Sequence, residues 1–405
     1  MNACGLIVEY NPFHNGHAYH IEKAKAATNA TCMIAVMSGS FLQRGEPAIM
    51  DKYHRAKAAL LHGINIVVEL PYPYAVQSSS LFAKGAIMTL YELGVTSICF
   101  GSESGNTAAF IDAYHQFQAN EKTYTTKLKE ALMDGHSYPD AGKIAYDAIG
   151  LTATDMDLSQ PNNILGFSYV RTILDNQLPI QPLTIKRTNN NYHDTEITGS
   201  IASATSIRNQ LFHYNHDVSE LIHTMPSATV SALQKYKEAA NTWHQWEDYF
   251  PLLHYRVSTM TTEELLHIHG VEEGIEHRIK KTAKEATSFH DWVERIKTKR
   301  YTWTRIQRIF VHILTNTKKA EITSLSTANS VPYVRLLGIS KRGQEYLNVQ
   351  KKQMNVPIYS KLTRDVHPML QLEERATDTY YSILPFKNRY TLQRQEIKGP
   401  IRISN

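Results

Sequence analysis

GLIVEYNPFHNGHAYH, residues 5–20, is the stretch on which the reading of this chain turns. Residues 5–9 are apolar, partly β-branched and uncharged until Glu9, which predicts a buried strand of a parallel sheet. Asn11-Pro12 interrupts the run, and residues 18–27 are rich in helix formers. Asn15 is a candidate helix cap, and Gly16 lets backbone approach a ligand closely. The pattern is strand, tight turn and helix N-terminus, whose free N–H groups and positive dipole end suit a phosphate. His14 and His17 stand at that terminus, and their imidazoles can donate hydrogen bonds to the same phosphate oxygens with no covalent chemistry. With His20 they fall at spacings of three, which a metal site or an ordinary polar surface would share.

Working outward, residues 31–38 (TCMIAVMS), 64–70 (INIVVEL) and 96–100 (TSICF) read as further strands, with helices over 51–62 and 79–93 between them. Such alternation implies right-handed βαβ crossovers and a mostly parallel sheet, with ligands outside the strands' carboxyl ends. That rule selects the loops at 10–17, 39–51, 71–80 and 101–106. Residues 112–150 read as polar and helical, 164–175 as a strong helix after Pro161-Asn162-Asn163, and 180–186 as a strand ending at Arg187. Residues 189–192 read as a polar loop, and a helix opens near Ser206.

A boundary is expected near 215–218, giving regions 1–216, 217–320 and 321–405. Helical segments follow at 228–240, 263–269, 273–286, 290–297 and 301–314. On the last, Ile306, Ile309, Phe310, Ile313 and Leu314 share one face, and Tyr301, Arg305, Arg308 and His312 the other. The tail, with a helix over 340–352 and a strand-like 356–362, reads as α+β.

Composition sets the bounds. The 405 residues are 42% hydrophobic and 20% charged, ample for two or three domains with real cores. The net charge of +5 is unevenly placed: residues 1–110 carry 7 Lys+Arg against 7 Asp+Glu, and residues 277–319 carry 12 against 3. The basic surface therefore belongs to the second half. Cys4, Cys32 and Cys99 lie in or beside predicted strands with no C-x-x-C pairing, which suggests reduced buried thiols. No apolar run approaches the roughly 20 residues that span a bilayer, and the first residues lack a signal-peptide pattern. The expectation is a cytoplasmic protein with no membrane partner.

A second phosphate signal is Ser203-Ala204-Thr205-Ser206-Ile207-Arg208, small hydroxyl residues at a helix start with a guanidinium one turn in. In isolation it would more simply be an N-cap followed by an ordinary helical arginine. Lys23, Arg44, Lys52, Lys186, Arg187 and Arg208 are the candidate cations for a phosphate rim. Gly101 opens a Gly-Ser-Glu-Ser-Gly loop that could approach a nucleoside, Asn162 could cap a helix or bind adenine or ribose, and residues 43–47 could form a lid or an acceptor pocket.

The HNGH tetrad with its Tyr-Asn-Pro-Phe lead-in resembles the fingerprint of the HxGH nucleotidyltransferases, in which the two histidines bind and polarise the α-phosphate region of ATP. In that superfamily a downstream I-S-S-T-x-I/V-R-like segment holds the β- and γ-phosphates. This chain departs from it at Ala202 and Ala204, leaving Ser203, Thr205, Ser206 and Arg208. NPFHNGHAYH, SGSFLQRGEP, DKYHRAKAAL, VVELP, FGSE, PNNILGFSY and RYTWTRIQRI together resemble the bacterial tRNA(Met) cytidine acetate ligase family over nearly the whole length.

That resemblance implies a Rossmann-like α/β nucleotidyltransferase domain, a helical basic RNA-binding region and a small α+β tail. It implies an ATP-dependent ligase that forms acetyl-adenylate and acetylates N4 of the wobble cytidine of elongator tRNA(Met). The implied ATP contacts are Ile7, Val8, Glu9, Tyr10, Asn11, Pro12, Phe13, His14, Asn15, Gly16, His17, His20, Gly101, Asn162 and Arg187, joined by Ser206 and Arg208 of the second motif. His14, His17 and Arg208 would carry catalysis, with Mg²⁺ brought by ATP and no metal held by the protein. Acetate and tRNA are the further partners, with no obligatory protein partner. Arg300, Tyr301, Arg305 and Arg308, with Trp292 and Trp303 interleaved, offer phosphate contacts and stacking faces for RNA. The competing readings are a small-molecule adenylyltransferase with an accessory domain and a non-catalytic RNA-binding protein on a degenerate scaffold.

Overall fold

Central strands that are apolar on both faces are covered by helices on each side of one sheet. In a computed structural model, which describes all residues except 154–155, 188–201, 213–216, 273, 327–329, 364–366 and 405, the first half runs β1 (Ala3–Val8), α1 (Asn15–Thr28), β2 (Cys32–Ser38), α2 (Lys52–Leu61), β3 (Ile66–Leu70), α3 (Ser79–Glu92), β4 (Ser97–Ser102), α4 (Pro161–Asp175) and β5 (Gln181–Lys186). Three helices, Thr107–Ala119, Glu121–Met133 and Tyr138–Asp147, fill the connection before α4. Successive β2 residues alternate between faces: Ile34 and Val36 pack with Val68 and Phe100, while Met33 and Ala35 pack with Leu6 and Ile21.

The strand order is β5-β4-β1-β2-β3, all parallel. The chain winds from β1 out to β3, then crosses back to β4, so β1 and β4 flank the topological switch point. β1 pairs with β2 along its whole length, from Ala3↔Cys32 to Val8↔Met37. Against β4 only Cys4↔Ser97 and Gly5↔Ile98 pair. The two strands therefore part toward their carboxyl ends, and the crevice between them is where a ligand fits.

The second half contributes α5 (Ala204–Phe212), α6 (Ser227–Ala240), α7 (Trp246–Thr259), α8 (Trp303–Leu314), β6 (Val334–Ser340), β7 (Ile358–Tyr359), α9 (Pro368–Tyr381) and β8 (Ile401–Ile403), with shorter helices between α7 and α8. Its core gathers Trp246, Phe289, Trp292 and Phe310. Two elements differ from the reading of the sequence. α7 forms although Pro251 lies inside it; a proline in mid-helix removes a hydrogen bond and reads as a stop, and here aromatic packing outweighs it. β6, wholly buried, lies antiparallel to β3 and carries β7 and β8, so the 321–405 region extends the N-terminal sheet. The expected loop at 189–192 and part of the expected 215–218 boundary lie outside the described residues.

Candidate active site

A cavity of about 420 Å³ opens at the parted ends of β1 and β4. Its floor is the turn after β1. Tyr10 there adopts φ 50°, a left-handed conformation that costs a non-glycine residue energy and needs the surroundings to hold it. Two contacts do so. Asn11 Oδ1 accepts the Ile49 N–H at 2.7 Å, and the fully buried Arg55 guanidinium donates to the Glu9, Ser38 and Met50 carbonyls at 2.7, 3.0 and 3.1 Å and also to that of Gly39. Arg55 thus satisfies strand-end carbonyls that the sheet leaves over.

His14, not Asn15, caps α1. Its Nδ1 accepts the Gly16 N–H at 3.1 Å, and His17 Nδ1 accepts the His14 N–H at 3.2 Å. Each ring therefore carries its proton on Nε2, the tautomer dictated by the hydrogen bond at the other nitrogen. The expected row of free backbone N–H groups is absent: the Asn15 N–H is taken by the Thr224 carbonyl at 3.0 Å and the Gly16 N–H by His14. Donation to an anion here falls to two imidazole Nε2–H groups whose centroids lie 3.7 Å apart. Tyr10 and Phe13 stack edgewise behind the pair.

Burial, with Arg187 and Arg208 adding to it, holds the His14 imidazole down to about 3, and burial with Arg187 holds His20 at about 4. Burial and the neighbouring histidines put His17 well below the usual range. The three rings are neutral donors at pH 7. Because their folded values lie below the unfolded value near 6.5, the unfolded chain takes up protons first as pH falls. Their contribution to stability is flat above about pH 6.5 and is lost as pH drops toward 4. Imidazole ¹⁵N spectra are expected to show His14 and His17 as neutral Nε2–H tautomers from pH 8 to pH 5; protonation near pH 6.5 would contradict the assignment.

The other wall comes from β4, β5 and α5. A Cβ on Gly101 would stand 3.3 Å from Arg187 Cγ, so a side chain there would crowd the Arg187 stem at the cavity wall. Glu103 caps α4 from outside, accepting the Asn163 N–H at 2.8 Å and the Asn162 side-chain amide at 2.6 Å. Asn163 returns the contact, accepting the Glu103 and Ser104 N–H groups. Asn162 is thereby fixed at the cavity edge. Ser203 is the cap of α5, its Oγ accepting the Ser206 N–H at 3.0 Å. Arg208 donates to the Asn11 carbonyl at 2.8 Å and pairs with Glu46 at 2.9 Å, bridging the turn after β1 to the loop after β2.

Of the residues read from sequence, Ile7, Val8, Glu9, Tyr10, Asn11, His14, Gly16, His17, His20, Gly101, Asn162, Arg187 and Arg208 line this one cavity, as do Lys186, Ser203 and Thr205. Pro12, Phe13, Asn15 and Ser206 do not; Phe13 and Ser206 are buried in the walls. Lys23 is exposed on α1, outside the cavity. Lys52 is no rim cation: it is buried, 2.7 Å from Glu69 and 2.9 Å from Glu396.

On α8 and its approach, Tyr301 and His312, although on the face opposite the apolar stripe, are buried, and Trp292 is buried too. Arg305 covers the Tyr301 ring at 4.5 Å, so that ring offers no open stacking face. Arg300 reaches the Leu132 carbonyl and Arg308 that of Gln43. Tyr301 donates to the Glu272 carbonyl, His312 Nδ1 lies 2.9 Å from the Tyr72 hydroxyl, and Arg308 meets Gly45 of the loop after β2, contacts no single-helix pattern encodes. Also missed was the apolar wall of Phe82, Phe100, Leu165 and Tyr169, which the sequence placed only in two helices and a strand.

Among the described residues no group of three or more His, Cys, Asp or Glu is placed to hold a metal ion. A family model described as HIGH Nucleotidyl Transferase matches residues 1–396. The tRNA(Met) cytidine acetate ligase of Oceanobacillus iheyensis is 55% identical over 403 residues, covering all of both chains. That of Bacillus subtilis is 43% identical, covering 99% of this chain and 97% of its own. Crystal structures of Thermotoga maritima TmcAL, 30% identical and fully covered in both directions, superpose with TM-scores of 0.92 for an apo form and 0.89 for a form bound with alpha-thio ATP.

Proposed function

The chain belongs to the tRNA(Met) cytidine acetate ligase family of HIGH nucleotidyl transferases, and on that premise we propose that it joins acetate to ATP and passes the acetyl group to N4 of the wobble cytidine of elongator tRNA(Met). The observation that carries this reading is the pair of neutral Nε2–H imidazoles at the switch-point cavity, ringed by Lys186, Arg187 and Arg208. An acetate oxygen attacks the α-phosphorus, the bond to pyrophosphate breaks, and acetyl-adenylate remains. The cytidine amine then attacks the acetyl carbon, AMP departs with the electron pair, and the amine loses a proton. His14 and His17 donate to oxygens that gain charge at the α-phosphorus, and the three cations offset charge on the departing pyrophosphate. Phe82, Phe100, Leu165 and Tyr169 supply the dry wall that protects the adenylate from water.

The acidic side chains facing the cavity suit no protein-held cation: Glu46 is paired with Arg208, and Glu9 accepts the Gln43 N–H at 2.7 Å while burial pushes its carboxyl up. Mg²⁺ would supply charge neutralisation on ATP and be held mainly by the phosphates. The cysteines, all free and buried, suit the reducing cytoplasm, and no helix among the described residues is long and apolar enough to cross a membrane. A small-molecule adenylyltransferase would leave the basic second half without a task, and the relatives' names favour the ligase reading. Incubation with ATP, ¹⁴C-acetate and tRNA is expected to label RNA and release AMP and pyrophosphate; label absent from RNA while a small acceptor is adenylylated would overturn it.

A further inference from the structure

α8 does not stand apart from the catalytic cavity. Gly45, at φ 77°, sits so close to it that an added Cβ would lie 2.4 Å from the Arg308 backbone nitrogen. The Trp246 indole N–H donates to the Gly45 carbonyl at 2.9 Å, and Gln307 bridges the Arg44 carbonyl and the Trp303 indole N–H at 3.1 and 3.2 Å. The same loop is tied to the next one, since Gln43 donates to the Gln77 carbonyl at 2.8 Å. The basic helix therefore backs the loop that lines the cavity, with Gln43, Arg44 and Glu46 between them.

Beside that loop Arg308 is a partly buried guanidinium whose one hydrogen bond among the described residues is to the Gln43 carbonyl at 3.5 Å. No carboxylate among the described residues forms an ion pair with it; the neighbouring Glu272 lies 3.4 Å from Arg305, and Glu46 is held by Arg208. Its charged neighbours are Arg305 and Arg44, and burial beside these two cations pulls the guanidinium down to about 10. A desolvated cation facing cations costs free energy that a bound anion would offset. Arg44 lines the cavity while Arg305 and Arg308 lie outside it, so an anion held by the three sits at the mouth. The cations on the β5 side, Lys186 and Arg187, stand across β1 from this loop, which follows β2.

We propose that Arg44, Arg305 and Arg308 form a phosphodiester-binding site at the cavity mouth, which grips the RNA backbone beside the acceptor nucleotide while its base enters. Guanidinium forks match phosphate oxygens, and the helix–loop contact sets the grip against the loop that lines the nucleotide site. This rests on the acceptor being RNA, as proposed above.

The test is Arg308→Gln, with Arg308→Lys beside it and wild-type protein acetylating tRNA as the control for the reading itself. The glutamine variant is expected to raise the KM for tRNA about tenfold and to lower the slope of log Kd for RNA against log salt by about one. Its melting temperature is expected to stay or rise, since an uncompensated cation is removed, and lysine is expected to restore the salt slope. Unchanged RNA affinity and slope would overturn the proposal. So would a raised KM for ATP with unchanged RNA binding, which would assign the anion to the triphosphate, and so would a fall in melting temperature with equal loss at every step, which would make Arg308 structural. If wild-type protein fails to acetylate tRNA, the functional reading fails instead.

Discussion

Replacing His14 by asparagine is expected to slow acetate-dependent ATP–pyrophosphate exchange by about two to three orders of magnitude, the usual effect of deleting one preorganised donor to a developing oxyanion, with little change in melting temperature. The separation follows from the two nitrogens of the ring. Nδ1 caps α1 by accepting the Gly16 N–H, and an asparagine Oδ1 occupies nearly the same place and is a favoured cap. Nε2–H is the group proposed to donate to phosphate, and asparagine cannot reach there. His14→Ala loses both functions, adding about 1 kcal/mol of lost capping. Exchange within threefold of wild type in His14→Asn would remove the imidazole pair from the mechanism.

The second large effect is on stability. Lys52→Met is expected to cost about 3–5 kcal/mol, the range for breaking a buried charge cluster by removing one member. Lys52 Nζ lies 2.7 Å from Glu69, 2.9 Å from Glu396 and 3.8 Å from Glu373, all buried, and Arg335 supplies the other cation 3.3 Å from Glu396. Three carboxyls face two cations, and burial, with Glu69 alongside, pushes the Glu373 carboxyl well up. Without Lys52 the carboxyls keep one cation in a site that excludes water. The cluster joins β3, α2, α9 and the segment before β8, and Glu373 also accepts the Tyr72 N–H at 2.8 Å. Urea denaturation followed by tryptophan fluorescence should show the midpoint fall, and Lys52→Met with Glu69→Gln should recover part of it. A loss below about 1 kcal/mol would mean that the cluster is not held together by charge.

Legibility in the sequence tracked the range of the interaction. β1 to β4 were readable because buried parallel strands are short, largely apolar runs, and the HNGH turn because its strand, break and helix start lie within sixteen consecutive residues. Local pattern misled where distant packing intervened. Asn15 looked like the cap until His14 took that role through its ring. Lys52 looked like a phosphate ligand, since a lysine opening a helix near the active edge carries no mark of the glutamates, up to more than 300 residues away, that surround it. Tyr301 and His312 lie opposite the apolar stripe of their helix and are nonetheless covered by neighbouring segments.

The sequence by itself therefore determined the α/β class, the strand-turn-helix at HNGH and the basic charge of the second half, because each is set by residues within a few positions of one another. Only the tertiary structure decided that β6 joins the sheet beside β3, that β1 and β4 part to open the cavity, and that α8 packs behind the loop at its edge. Those outcomes depend on which buried faces meet and which charges are left to pair, and both are properties of the packed chain.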